Sequence, residues 1–280
     1  MDFLVVAEDI PYYQWQIELL IESFKIQGLE NKLIIYLVKT NESVDAIKIN
    51  IDDHKNVNYY KSESLRTGTI NIDFHNCILD YKSKNKNNDF AIIDTDTFLK
   101  NFDYKVFDGN NILYQIDQSS DKELELIFKV AKSKYNFDFY QASSVVYFNS
   151  IFDYNFFNSG FKALEDLIKI AFFTNIFNDD YKPNINLYKY AYLLTGMFYG
   201  TPLVPTYRLL NYIYDGLEQD VSFISYKHDI KPYFYKSNYY QKDFKNISLK
   251  YPDPFQNFLD LPDFTYCSFV KNIVSKYYNR

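Results

Sequence analysis

Apolar residues fall in two rhythms along this chain. Phe3-Leu4-Val5-Val6-Ala7 is a short continuous run, the pattern of a strand buried on both faces. Pro11 stands where a helix can start, and Ile17, Leu20, Ile21 and Phe24 then recur at i, i+3, i+4 and i+7. This predicts a helix over 13–27, stopped by Gly28 in a left-handed conformation. Residues 33–38 predict a second strand, so the chain opens with a β-α-β unit, whose crossover is expected to be right-handed. The same reading predicts a short strand at 57–60, a helix at 69–81, a polar loop at 82–89 and strands at 90–93 and 112–116. On the 69–81 helix, Ile70, Phe74, Cys77 and Leu79 are expected to share one face. It continues with a helix at 121–132 capped by Ser119 or Ser120, a strand at 144–148 and helices at 161–177, 184–198 and 207–214. A late strand follows at 221–226. Beyond Lys231, Pro232, Pro252, Pro254 and Pro262 interrupt any regular pattern.

Strands alternating with helices predict an α/β sandwich around a mostly parallel sheet. A chain of 280 residues can bury one full core. The expected organisation is one domain over 1–245 with an extension over 246–280 packed on it. Aromatics make up 20% of the chain, a share that a coding bias toward Tyr, Phe, Asn, Lys and Ile explains without ligands. A net charge of −6 disfavours a general nucleic-acid binder. Lys82, Lys84 and Lys86 read as a solvated face, as do Lys271, Lys276 and Arg280. Cys77 and Cys267 form no disulfide framework, which predicts a reducing, cytoplasmic setting. No run reaches the length of a membrane span, and the first residues read as a core strand rather than a signal peptide.

The candidate chemistry sits at Asp94-Thr95-Asp96, directly after the apolar run Phe90-Ala91-Ile92-Ile93. It is the sole Asp-x-Asp in the sequence, and a second short apolar run follows it. Open α/β sheets bind ligands at the carboxyl ends of their strands. Two hard oxygen ligands there suit Mn²⁺ or Mg²⁺, and such an ion can hold a diphosphate. None of the seven glycines forms a G-x-G, which removes the dinucleotide and Walker fingerprints as phosphate binders. No G-x-S-x-G or H-E-x-x-H occurs, and three His with two Cys, widely scattered, make a zinc site a poor expectation. These residues point to transfer of a sugar from a nucleotide-sugar donor.

Four segments in order resemble metal-dependent glycosyltransferases of the GT-A fold, above all the glycogenin and galactosyltransferase-like group. Val5-Val6-Ala7-Glu8-Asp9 is similar to the strand and loop that meet the nucleobase in that fold. Ile92-Ile93-Asp94-Thr95-Asp96-Thr97 resembles the family's Asp-x-Asp strand. Phe156-Phe157-Asn158-Ser159-Gly160-Phe161 looks like its "FNxG" strand-to-helix junction. The stretch from Tyr226 to Tyr233 is similar to its late "His…Lys-Pro-Trp" element, although two residues only separate His228 from Lys231 and Tyr233 replaces the Trp. Tyr13-Gln14-Trp15-Gln16 is also faintly similar to plant hydroxyproline arabinosyltransferases.

The resemblance implies roles. Asp94 and Asp96 would hold Mn²⁺ with His228 as third ligand, and Thr95 would lie at the donor. Lys231 would touch the donor diphosphate, and Arg66 could pair with phosphate. Ala7, Glu8 and Tyr13 (or Tyr12) would take the base. Asn158 and Gly160 would lie near the transferred sugar or the acceptor. Asp220 would serve as base if the reaction inverts configuration, whereas a retaining reaction requires none. The implied donor is a UDP-sugar. The acceptor is a hydroxyl on a glycan, a protein or a modified DNA base, the last disfavoured by the acidic balance. Two alternatives stand beside this reading. A sugar-nucleotide nucleotidyltransferase would want a Gly-rich loop where Glu8-Asp9-Ile10-Pro11 stands. A non-catalytic binding protein could share the fold.

Overall fold

The structure, a computed structural model, describes residues 1–9, 11–39, 57–63, 70–116, 122–135, 142–173, 187–212, 223–225 and 272. The strands along the chain are β1 (Asp2–Glu8), β2 (Leu33–Lys39), β3 (Asn58–Glu63), β4 (Phe90–Ile93), β5 (Thr97–Leu99), β6 (Ile112–Ile116), β7 (Ala142–Phe148), β8 (Leu203–Thr206), β9 (Leu210–Tyr212) and β10 (Phe223–Ser225). The helices are α1 (Pro11–Ile26), α2 (Ile70–Lys84), α3 (Lys122–Tyr135), α4 (Tyr154–Phe173) and α5 (Leu187–Phe198). The fold is α/β, as expected: a mixed sheet of seven mostly parallel strands and a second sheet of three, with these five α-helices among the described residues. By packing, the chain divides into two compact units. The expected division at residue 245 lies outside the described residues.

The first unit contains residues 2–63, 93–106 and the chain from 208 onward. Its β-α-β start follows from the apolar pattern. β1 and β2 are buried nearly throughout, and β1-β2-β3 pair in parallel, with Ala7 opposite Leu37 and Leu37 opposite Lys61. The α1 stripe of Ile17, Leu20, Ile21 and Phe24 is fully buried, and each such side chain contributes about 1.5–3 kcal/mol. Gly28 closes the helix at φ 66°. Its N–H donates to the Lys25 carbonyl (3.0 Å) and that of Leu29 to the Phe24 carbonyl (3.0 Å), the paired bonds of a Schellman turn. Phe3 lies at the centre of a ring cluster, 5.0 Å from Phe24, 5.3 Å from Phe102 and 5.8 Å from Phe223. The small sheet runs β5-β10-β9, with β10 antiparallel to β5 and parallel to β9. Residues 207–212 are therefore bends followed by a strand, not the start of a helix. Pairing of Leu210 with Phe223 overrides the local preference, as tertiary context does for short segments.

The second unit contains residues 64–92 and 107–207. Its strands run β4-β7-β6-β8, with β6 antiparallel to β7 and parallel to β8. Phe90, Phe148, Phe157 and Tyr192 meet in its core at ring distances of 5.0–5.9 Å. Three expectations need correction here. Helix α4 begins at Tyr154 rather than 161, because Asp153 caps it: the Phe156 N–H donates to Asp153 Oδ1 at 3.0 Å. Helix α2 runs on to Lys84, into the expected loop. Its buried residues are Asn71, Asp73, Phe74, His75, Cys77, Ile78, Tyr81 and Lys82, so Phe74 and Cys77 are buried as expected while Ile70 and Leu79 are only half-buried. That face escapes a hydrophobic count because half of it is polar. Three of its polar members bond as follows: the Tyr188 N–H donates to Asn71 (3.3 Å), His75 Nδ1 bonds the Tyr192 hydroxyl (2.8 Å), and Lys82 Nζ donates to the carbonyls of Lys86 (3.2 Å) and Asn88 (3.5 Å). Lys82 is thus no part of a solvated face, while Lys84 and Lys86 are exposed.

Candidate active site

The chain leaves β4 at Ile93, turns through Asp94-Thr95-Asp96 and enters β5. The turn is held from both sides. Thr97 Oγ1 donates to the Asp94 backbone carbonyl at 2.7 Å. Thr95 Oγ1 donates to Gln16 Oε1 on α1 at 2.8 Å. Two turns further along α1, Ser23 Oγ accepts the Leu99 N–H at 3.0 Å and donates to the Leu20 carbonyl at 2.6 Å. Gln16 and Ser23, seven residues apart, lie on one face of α1 and bond the segment that carries the carboxylates. Asp94 is half-buried and Asp96 is only 5% exposed. Buried carboxylates are paired or coordinate cations.

The carboxyl end of β1 belongs to the same unit. Ala7 is buried there, Glu8 is half-buried, and Asp9 extends the ladder by donating its N–H to the Val38 carbonyl at 2.7 Å. Lys61 Nζ, on an exposed side chain, stands 3.5 Å from the carboxylate of Asp9, which is buried. Helix α1 starts just past this edge. Tyr13 is half-buried and sits three residues before Gln16, so it occupies the helix face that leads to Thr95. The structure therefore ties Thr95 to the second turn of α1 through Gln16, with Asp94 and Asp96 on either side of Thr95 in the chain and Tyr13 one turn before Gln16.

Other expected residues sit elsewhere or lie outside the description. Asn158 and Gly160 belong to the second unit, within α4 rather than at a strand-to-helix junction. Asn158 is exposed. Gly160 is buried against α5, where a Cβ would stand 2.9 Å from Tyr192 Cδ1. Close helix packing thus accounts for the glycine. Arg66, Asp220, His228 and Lys231 lie outside the described residues. Sequence reasoning gave no role to Gln16, Ser23 or Lys61. The available signal was a polar residue set into the apolar stripe of α1, since a buried polar group is the informative exception.

Among the described residues no three His, Cys, Asp or Glu side chains form a metal cage. The pair nevertheless fits a divalent ion of the Mg²⁺ or Mn²⁺ kind. Such ions favour carboxylate oxygen, keep several waters, and are commonly bound by one or two carboxylates plus substrate phosphates. Asp94 and Asp96 supply that donor set from one braced turn.

No protein-family model matches the chain, and no curated protein matches it either. Solved structures do. The galactosyltransferase LgtC, in complex with donor and acceptor sugar analogues, matches with a TM-score of 0.51 and 12% identity, over 94% of this chain and 98% of that one. An active-site mutant of LgtC matches with a TM-score of 0.49 and 12% identity, over 89% of this chain and 96% of that one. A glycosyltransferase involved in glycosylation of the major capsid of PBCV-1 matches at 0.39 and 11%, over 82% and 95%. The first of these likenesses spans nearly the whole of both chains, and it shows that this chain has a GT-A-type fold.

Proposed function

We propose that the protein is a metal-dependent glycosyltransferase that moves a sugar from a nucleoside diphosphate donor, first of all a UDP-sugar, to a hydroxyl acceptor. One observation carries this reading: the Asp94-Thr95-Asp96 turn at the carboxyl end of β4, braced by α1, in a chain with the fold of a sugar-transferring enzyme. Asp94 and Asp96 would hold Mn²⁺ or Mg²⁺. When bound, the ion neutralises negative charge on the departing nucleoside diphosphate. Gln16 keeps the two carboxylates in place through Thr95, and such transfer depends on positioning more than on a strong nucleophile. Ala7, Glu8 and Tyr13 take the nucleobase, the ring of Tyr13 by stacking.

His228 is the third metal ligand in this reading. Ser225, three residues before it, pairs with Thr97, the residue after Asp96, so β10 runs beside the segment that bears the carboxylates. Lys231 and Arg66 add positive charge where the leaving group develops its own. Asp220 is the base of an inverting reaction. The acceptor is a glycan or a protein, with a modified DNA base disfavoured by the net charge of −6. Two cysteines without a disulfide framework support a reducing, cytoplasmic compartment. Among the described residues no helix is long and apolar enough to cross a membrane.

A thermal-shift panel of UDP, GDP and CMP, each with and without Mn²⁺, tests this reading, because a ligand bound to the native state raises Tm. The expected result is a Mn²⁺-dependent rise with UDP that Asp94→Asn and Asp96→Asn both lose, with unchanged circular dichroism. A UDP shift indifferent to Mn²⁺ and to both substitutions would overturn it. Turnover of a panel of nucleotide sugars, with water as default acceptor, then identifies the donor.

A further inference from the structure

We propose that a cavity of about 300 Å³ among α3, α4 and α5 is a saccharide-binding site that takes one or two neutral sugar rings. It shares no residue with the Asp94–Asp96 turn and does not depend on the transferase reading. Its walls include Tyr135 at the end of α3, Ser159, Lys162 and Asp166 on α4, and Phe198 and Tyr199 at the end of α5. The volume is at the lower end for small-molecule sites.

Two features select the ligand. The first is aromatic. Phe198 is 60% exposed and Tyr199 63%, on consecutive residues beside one concavity, which separates them from the scattered apolar residues any surface shows. Both rings are braced. Phe198 meets Tyr135 edge-on at 5.6 Å, and Tyr199 lies 5.7 Å from Phe156. The helix end beneath them is closed by the Tyr199 N–H on the Thr195 carbonyl (3.0 Å) and the Thr201 N–H on the Gly196 carbonyl (2.9 Å). A ring face carries negative quadrupolar charge and attracts the polarised C–H groups on the flat face of a pyranose.

The second feature is polar. Tyr135, Ser159, Thr195 and Tyr199 line the same space; the hydroxyls of Ser159, Thr195 and Tyr199 already donate to the Phe156 carbonyl (2.7 Å), the Ala191 carbonyl (2.8 Å) and Ser159 Oγ (3.4 Å), so what they offer a ligand is acceptor lone pairs. The Tyr135 hydroxyl donates to Asp166, and Lys134 pairs with that carboxylate at 3.0 Å. Burial alone would raise the Asp166 pKa, but these two donors hold it below the usual carboxylate range. Asp166 is therefore an ionised acceptor for sugar hydroxyls. A purely apolar partner would bury the Lys134–Asp166 ion pair without return. A phosphate would meet the Asp166 carboxylate as well as the Lys162 ammonium, so the wall offers it no net positive charge. A neutral saccharide satisfies the rings and the polar groups together.

The test presents the labelled full-length chain, in EDTA, to an array of neutral oligosaccharides built from glucose, galactose, mannose and N-acetylglucosamine. The strongest binder is then titrated. The expected result is saturable binding that Phe198→Ala and Tyr199→Ala each weaken by about tenfold or more, with Tm unchanged because both rings are exposed. Asp94→Asn should bind like the parent, so failure of the donor site and failure of this one are told apart. No binding to any oligosaccharide would overturn the proposal, and so would binding that both ring substitutions leave intact. Sedimentation showing a dimer that Tyr199→Ala dissociates would assign the rings to self-association instead, and would overturn it too.

Discussion

The hydroxyl of Thr95 donates to the side-chain carbonyl of Gln16 across 2.8 Å, and both residues are buried. A helix that follows the first strand thus grips a turn 79 residues further along the chain. Gln16→Leu keeps the bulk and removes the acceptor, leaving a buried hydroxyl without this bond. We expect a stability loss of about 1–3 kcal/mol in urea unfolding. Manganese titrated in the presence of UDP should bind more weakly, and Gln16→Glu, which restores an acceptor, should recover most of the affinity. A metal titration unaffected by Gln16→Leu would mean that the turn keeps its shape unaided.

Gly160→Ala sets two effects against each other. In an open helix the change stabilises by about 1 kcal/mol. Here the new Cβ would stand 2.9 Å from Tyr192 Cδ1 and 3.1 Å from Cε1, on a ring that is fully buried. Overpacking costs about 1–3 kcal/mol, so the balance should be a net loss on the order of 1 kcal/mol. Thermal unfolding measures it. A raised Tm would show that the helices part easily at this point.

Lys82 and Lys84 should differ sharply. Lys82 is fully buried, bonds the carbonyls of Lys86 and Asn88, and stands 5.6 Å from the centre of the Phe90 ring. Lys82→Ala should destabilise by about 1–3 kcal/mol. Lys84 makes an exposed pair with Asp80 one helical turn away, and Lys84→Ala should cost under about 0.5 kcal/mol. Chemical denaturation of both variants decides. Equal effects would count against a structural role for the buried ammonium.

His75 makes stability depend on pH. Burial lowers its pKa from 6.5 to about 4 in the folded protein. The unfolded chain therefore takes up a proton that the native state refuses. The neutral imidazole's contribution is fully present above pH 6.5, declines as pH falls and is lost by about pH 4. Between pH 7 and 4.5 this amounts to about 2–3 kcal/mol. Carboxylates titrate in the same window, so the readout is the parent's unfolding free energy minus that of His75→Phe. That difference should shrink by this amount on acidification. A difference independent of pH would mean that His75 titrates normally when folded.

By itself the sequence determined the first β-α-β unit, the strand at 90–93 and the position of Asp94 and Asp96 at that strand's end. Each is written in neighbouring residues: apolar runs, a 3.6-residue stripe, a glycine that stops a helix. Tertiary structure decided the rest. Lys82 reads as solvated in the sequence, yet it is buried along with Asn71 and His75, because Tyr188, Tyr192 and the carbonyls of 86 and 88 meet their polar atoms. Residues 207–212 form bends and a strand because β10 pairs with them. Gln16 became a brace for the candidate site because Thr95 folds back onto it. The physical reason is common to all three. A hydrophobic pattern records which residues leave water readily, whereas the burial of a polar group depends on a partner that only the folded chain brings within reach.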